Sequence, residues 1–372
     1  MSWNNAALSR SPIAVVAAVC VATGGACSIA QAQTSVSLAH RYVVREVSAG
    51  GFANTISGGV IGGTVGNHGV LWTGQGLVDL HPGNATFSAV YGRNGSLSVG
   101  YAGTASLAQW PVLWQGATPT TLPVPFSFVA GRAVATDGTQ IVGSATEGDP
   151  ERGVGATHAM LWDLNTGAAI DLGKDNTVTG VVGGVQVGTA LGSKGSTAAM
   201  WRGTPNSFVD LHVPAYDVSV ATDTDGTLQV GYLGVDVRVR NEAKPRDIRF
   251  YSAGYWTGSA ASFVYLPSTY RHSFALAIES DTIAGYGNTT DAIGTPKESH
   301  AIAWVGVNHE FVDLHALLPT TMRTSRASSV DESGNVVGWG VDTAGVVHSY
   351  VWLRQHLAPV AEAPMNQAAD AD

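Results

Sequence analysis

Thr282-Ile-Ala-Gly-Tyr286, His300-Ala-Ile-Ala-Trp304-Val305 and Glu310-Phe-Val-Asp-Leu314 are three short apolar runs separated by segments rich in Gly, Asn, Asp and Ser. A fourth run, Ser273 to Ile278, precedes them across the turn Glu279-Ser280-Asp281. Each has the length of a strand and is too short for a stable helix. The runs are apolar on both faces, as expected of strands packed between two neighbouring sheets. The stretch therefore predicts a four-stranded unit, with Gly287 to Ser299 as a long loop between its second and third strands.

The unit recurs. Trp304 belongs to a series formed by Trp72, Trp114, Trp162, Trp201, Trp256, Trp304 and Trp352, with gaps of 42, 48, 39, 55, 48 and 48 residues. A Val-Gly-like step precedes each: Ile61-Gly62, Val99-Gly100, Val142-Gly143, Val187-Gly188, Val230-Gly231, Ala284-Gly285 and Val337-Gly338. An Asp-Leu step follows four of them, at Asp79-Leu80, Asp171-Leu172, Asp210-Leu211 and Asp313-Leu314, and Leu122 and Leu266 hold the same place. Four-stranded units of about 45 residues repeated radially make a β-propeller. The seventh unit stops at Leu353-Arg354 without a fourth strand. Arg41 to Val47 reads as a strand with no unit of its own. The expected fold is all-β, a seven-bladed β-propeller over residues 41–354, closed by an N-terminal strand that completes the last blade and removes the open sheet edge.

His158-Ala-Met-Leu-Trp162, His300-Ala-Ile-Ala-Trp304, His348-Ser-Tyr-Val-Trp352, Asp331-Glu-Ser-Gly-Asn-Val-Val-Gly338 and Ile170-Asp-Leu-Gly173 resemble the His-Ala-Phe signature of the HAF family of extracellular repeat proteins. The resemblance covers essentially the whole mature chain, although Trp110, Thr197 and Ser252 stand where units two, four and five would carry the histidine. It implies an exported, propeller-like protein and names no reaction.

Composition narrows the setting. The chain has 372 residues, 46 of them Gly, and 13% charged. Ile13 to Ala22 is a short apolar run before Ala30-Gln31-Ala32, the pattern of a signal peptide over residues 1–32 and too short for a membrane span. Cys20 and Cys27 both precede that site, so the mature chain would hold no cysteine. Its loss removes one positive charge and no acid from a net charge of −9, leaving −10. Such an acidic protein is a poor partner for nucleic acid. Residues 355–372 read as a disordered acidic tail. The expected product is a periplasmic or extracellular monomer without cofactor or bound metal.

Function was sought in residues that break the repeat. The histidines at the start of third strands (His68, His158, His300, His348) and after fourth strands (His81, His212, His315) recur with it. They read as ties between blades rather than metal ligands, although His68 with His81 and His300 with His315 would meet across strands. At the entrances of the inner strands lie Arg132, Tyr216, Tyr270, Arg271, His272, Arg323 and Arg326. Arginines suit planar carboxylates, and His and Tyr move protons. The bland alternative pairs Arg132 and Arg326 with acids of adjacent blades. The long loop of unit five, Gly234 to Ser252, adds Arg238, Arg240, Lys244, Arg246 and Arg249, beside Asp236, Glu242 and Asp247. Its Val235 to Arg240 alternates like a protruding hairpin. Loops Ala145 to Thr157 and Gly287 to Ser299 bring Glu147, Asp149, Glu151, Asp291 and Glu298, which read as solvated loop charge. No nucleophile elbow, zinc-protease motif or phosphate loop is present, and Asp223-Thr-Asp225-Gly226 lacks the later ligands of a calcium loop.

The leading expectation is a module that binds an extracellular polysaccharide or another acidic ligand on the long-loop face. In it Tyr270, Arg271, Arg323, Arg238, Arg240, Lys244 and Arg246 would contact the ligand. One rival is a polysaccharide lyase or glycoside hydrolase on a uronate polymer, with His272, Tyr216, Arg132 and Arg326 as its catalytic set. Another is a structural envelope or matrix protein that binds a protein partner.

Overall fold

The computed structural model describes residues 41–104, 109–149, 153–193, 195–239 and 246–355. Its strands are numbered in chain order, beginning with β1 (Tyr42–Ala49). Blade one holds β2–β5 (Gly51–Ser57, Val60–Val65, His68–Thr73, Gly76–Asp79), and blade two holds β6–β9 (Phe87–Asn94, Leu97–Gly103, Gln109–Gln115, Thr118–Thr121). Blade three is β10–β13 (Phe128–Thr136, Gln140–Asp149, Gly153–Asp163, Ala169–Lys174), and blade four is β14–β17 (Thr177–Val182, Val185–Gly192, Gly195–Trp201, Val209–Asp210). Blade five is β18–β21 (Val218–Thr224, Gln229–Val239, Arg246–Trp256, Val264–Tyr265), and blade six is β22–β25 (His272–Glu279, Thr282–Thr290, Pro296–Val305, Glu310–Asp313). Blade seven takes β26–β28 (Met322–Val330, Val336–Asp342, Val347–Arg354) and receives β1 as its outermost strand, antiparallel to β28. Within every blade the strands pair antiparallel in chain order, and a single parallel bridge, Ala130 to Gln109, joins blades two and three. Each inner strand packs on the preceding blade, and β2 packs on blade seven, so the ring is closed. The fold is a β-propeller, and the strand left over at the N-terminus fills the place expected of it.

No blade has a core of its own. The buried apolar residues form clusters that each straddle one junction: Leu71, Val90 and Trp114 between blades one and two, Leu161, Val178 and Trp201 between three and four, Ala53, Ile56 and Val351 between seven and one. The other four junctions are filled in the same way. This is the arrangement a radial repeat requires, since a sheet apolar on both faces needs a neighbour on each side. The tryptophans mark the junctions. Trp114 Nε1 donates to Leu80 O at 2.8 Å, Trp162 Nε1 to Pro123 O at 2.5 Å, Trp304 Nε1 to Pro267 O at 2.6 Å and Trp352 Nε1 to Leu314 O at 3.0 Å. Each indole thus bonds the preceding blade at or just after its Asp-Leu position. Arg354 adds a paired contact to Asp281 of blade six and anchors the end of the closing blade.

Every inner strand carries an extra residue relative to the strand beside it at one repeat position: Asn54, Tyr91, Val134, Thr179, Thr222, Leu276 and Ser328, and the inner strands of blades three and seven have a second irregularity at Val129 and Arg323. Beside the bulge the two backbones approach so closely that a side chain has no room. A Cβ on Gly63, Gly100, Gly143, Gly188, Gly231, Gly285 or Gly338 would stand 1.9–2.0 Å from the carbonyl oxygen facing it. The Val-Gly step is therefore a consequence of the bulge. In blade one the step lies one residue later than the sequence suggested: Gly63, not Gly62, faces the Phe52 carbonyl.

The long loops are mostly hairpin. In blade six β23 runs on to Thr290 and β24 starts at Pro296, so much of Gly287 to Ser299 is paired strand rather than loop. In blade five Val235 pairs with Phe250 and Asp236 with Arg249, the protruding ribbon that the alternation predicted. Gly285→Ala should lower stability by about 2–3 kcal/mol, because its Cβ meets backbone that cannot move aside. Exposed Gly74→Ala, with nothing within 4 Å, should be close to neutral. Denaturant unfolding of the two variants checks the contrast.

Candidate functional site

The repeated histidines serve the scaffold. His68 Nδ1 lies 2.7 Å from Asp79 and His158 Nδ1 2.7 Å from Asp171, each across the third and fourth strands of one blade. His81, His212 and His315 reach the next blade, with Nδ1 at 2.9, 2.9 and 2.7 Å from the hydroxyls of Ser88, Ser219 and Ser325. Those hydroxyls in turn accept the backbone N–H of Gly69, Ala198 and Ala301. The pairs His68–His81 and His300–His315 do meet, stacked with centroids 3.9 and 3.7 Å apart. Burial, reinforced by His300, pushes His315 down to about 4, so the ring stays neutral at ordinary pH. No group of three or more His, Cys, Asp or Glu placed to hold a metal occurs among the described residues.

The proposed acid–base pair is not assembled. His272 is fully buried beneath the blade-six hairpin, with Nε2 2.8 Å from Gly294 O and its ring stacked on Phe250. Gly287 and Gly294 have no side chains to hold the hairpin off, and it folds over the histidine. The Tyr216 hydroxyl turns outward to the hydroxyl of Tyr265 on β21, the outermost strand of blade five. Both corrections share a cause: residues at or just ahead of the start of an inner strand adjoin the connection from the outer strand, and their side chains follow local packing rather than the axis. Tyr270 likewise faces outward, its hydroxyl 2.9 Å from His300 Nδ1 and 3.0 Å from Asp313 Oδ2. Burial first, then Asp313, raises its phenol well above the usual range.

Arg132 and Arg326 do reach the entrance face, at one repeat position in blades three and seven. Neither has an acid partner among the described residues, contrary to the bland alternative. The Arg326 guanidinium lies 4.3 Å from the ring centre of Tyr286 in blade six and 5.8 Å from that of Trp339, with Nε 3.3 Å from Ser299 Oγ. Arg132 is exposed and acts electrostatically on Tyr101 of blade two. Phe52, at the same position in blade one, packs edge-on against Trp339 at 5.3 Å. Rings and guanidinium groups thus alternate around this mouth. Sequence reading found the arginines but missed Tyr101, Tyr286 and Trp339, each of which directly follows a repeat glycine. Arg271 is exposed, and Arg323 stands 3.8 Å from Glu298. Two basic residues of the blade-five ribbon are paired with acids: Arg249 makes a two-pronged contact with Asp236 at 2.7 and 2.8 Å, and Arg238 lies 3.4 Å from Asp247. Arg240 and Lys244 lie outside the described residues, and Arg246 is described only as the first residue of β20.

A cavity of about 320 Å³ occupies the other half of the channel. Inner strands of all seven blades line it, from the bulge to the first turn, so it sits on the ring axis, and none of the sequence-predicted site residues borders it. All seven bulged residues do. Asn54 Nδ2 donates to Val90 O at 2.9 Å, Thr179 Oγ1 to Ala221 O at 3.1 Å and Thr222 Oγ1 to Ala275 O at 2.9 Å, each to the next blade. Asp223, one residue past its bulge, accepts the Ile278 N–H of blade six at 3.0 Å. Its other oxygen fills the space that a Cβ on Gly180 of blade four would need. Asp223 shows some surface to the channel yet is hemmed in by three blades, and this desolvation pushes its carboxyl up to about 7.

No family model matches the chain, and no curated protein matches it by sequence. Similar solved structures include the β-propeller domain of the Trilobed protease from Pyrococcus furiosus, 12% identical over 75% of this chain and 85% of that one, TM-score 0.49. The tricorn protease is 11% identical over 83% of this chain and 34% of that one, TM-score 0.49. SapL1 lectin, solved with alpha methyl fucoside, is 11% identical over 74% of this chain and 97% of that one, TM-score 0.37. These likenesses concern the fold.

The Asp223 carboxyl makes stability depend on pH. Its folded-state value near 7 lies above the ordinary 3.8. Between those limits the folded protein holds a proton that the unfolded chain releases, so the contribution of this group to stability falls as pH rises and is lowest above 7. Asp223→Asn keeps an acceptor for Ile278 without the charge. Its melting temperature relative to wild type should rise from pH 5 to pH 8; a difference constant across that range would contradict the assignment.

Proposed function

We propose that the protein is a non-enzymatic binding module for carboxylate-bearing glycans, which it takes on the face where the inner strands begin. The observation that carries this reading is the state of its two channel arginines. Arg132 and Arg326 stand without carboxylate partners among the described residues of a protein that is acidic overall, and Arg326 is held against two aromatic rings. Guanidinium groups without such a partner suit planar carboxylates of a ligand. The part-buried rings of Tyr101, Tyr286 and Trp339 and the exposed ring of Phe52 offer rigid apolar contact at little entropic cost. Arg271 extends the positive patch outward. Exported residence accords with the N-terminal apolar run and with the resemblance to HAF repeats. The lyase reading has less support, because His272 and Tyr216 turn away from the arginines.

Titration calorimetry with an oligogalacturonate and a neutral oligosaccharide of equal length tests the proposal. The acidic chain should bind and the neutral one should not. Replacing both Arg132 and Arg326 with Ala should weaken binding at least about tenfold, equivalent to about 1.4 kcal/mol. Raising salt should weaken it further. Equal affinity for the neutral chain, or an unchanged double variant, would defeat the reading. New ultraviolet absorbance from unsaturated products would replace it with the lyase.

A further inference from the structure

The axial cavity has an electrical character opposite to that of the arginine-bearing face. Its ionisable lining comprises Asp137, Asp223, Glu279, Asp331, Glu332 and one arginine, Arg93. Arg93 is held by its own turn, with Nη1 2.8 Å from Ser98 Oγ and Nη2 2.6 Å from Gly95 O, and its buried Nε has no partner among the described residues. The neutral groups are biased in the same direction. Thr179 and Thr222 donate their hydroxyl protons to carbonyls of the next blade, and one N–H of Asn54 does the same. What they present to the lumen is oxygen lone pairs. Four of the five acids are similarly occupied. Asp137 accepts backbone N–H groups from its own turn and from Gly183, Asp223 that of Ile278, Asp331 those of Ser333 and Asn335, and Glu332 that of Gly58. Glu279 is the exception, bonded among the described residues only to its chain neighbour Ser280, whose hydroxyl lies at 3.5 Å, and burial together with Glu332 raises its pKa. A half-buried carboxylate with spare acceptor capacity in an acceptor-lined cavity suits a cationic ligand.

A bare metal ion does not fit this pattern. The acceptors are spread around a ring of seven strands, and no three carboxylates or histidines among the described residues converge on a point. A volume of about 320 Å³ is instead at the lower end of the range of small-molecule pockets. We infer that the axial cavity is a second binding site, for a small polyhydroxylated amine of the amino-sugar class, with the ammonium on Glu279 and hydroxyls donating to Thr179, Thr222 and Asn54. Hydrogen bonds from a charged donor are the strong kind, and they select an amine over the neutral sugar of the same shape.

Calorimetry on the whole protein at pH 7.5, with D-glucosamine, D-glucose and D-glucuronate as probes, tests this. Glucosamine should bind at least about tenfold more tightly than glucose, and glucuronate should not enter the cavity. Glu279→Gln should reduce glucosamine affinity about tenfold. Ser328→Leu should abolish it by filling the lumen, and Leu276 at the same repeat position shows that the bulge accepts this side chain. Replacement of Arg132 and Arg326 should leave glucosamine binding unchanged, so failure of this site and failure of the uronate site are told apart. Absence of glucosamine binding, equal binding of glucose, or binding that survives both Glu279→Gln and Ser328→Leu would overturn the inference.

Discussion

One extra residue in each inner strand governs this molecule. The bulge brings two backbones together until only glycine fits beside it, and that glycine recurs once per blade. It also turns one side chain out of the ladder and toward the axis, so seven bulges produce a ring of seven side chains around the channel. Four of these are Asn, Thr, Thr and Ser, and three of those four are tied to the next blade. The same device therefore fixes the register of each sheet, contributes to the coupling between sheets and decides what the lumen offers a ligand. The buried clusters at the junctions supply most of the cohesive energy, but they are apolar and non-directional. The bulge and its hydrogen bonds are the directional part.

The scaffold was legible because its markers are constrained in identity. The indole fills a junction and in four blades also donates to a carbonyl of the preceding blade, and only glycine tolerates a carbonyl at 2 Å, so both recur visibly. The unpaired strand at the N-terminus was equally readable, since a last blade one strand short demands it. The cavity was not legible. The bulged position accepts Asn, Tyr, Val, Thr, Leu or Ser, because its side chain stands at the open channel and only three of the seven are tied to the next blade. A position free to vary leaves no periodic trace. The available signal was indirect: the residue sits nine places before the repeat glycine in six blades and ten before it in blade seven.

The candidate site residues differ in placement for related reasons. Arg132 and Arg326 lie inside inner strands, where the pleat fixes side-chain direction. His272 and Tyr216 lie at or before strand starts, where direction is set by packing that the sequence does not reveal. For His272 the deciding element is a hairpin some twenty residues further on, which closes over it through Gly294. The histidines in register with the repeat were readable for the opposite reason. Repetition itself marked them as parts of the frame, and their serine partners recur one blade onward.

Closure by β1 has a consequence beyond the sheet edge it covers. Gln355, at one end of the described chain, donates its backbone N–H to the carbonyl of Arg41, at the other end, at 2.6 Å. The described polypeptide is thus a nearly continuous loop whose covalent gap falls between two hydrogen-bonded neighbours. In such a ring no blade is first in any energetic sense. The seam lies on the outer side of blade seven, away from both the arginine-lined mouth and the axial cavity.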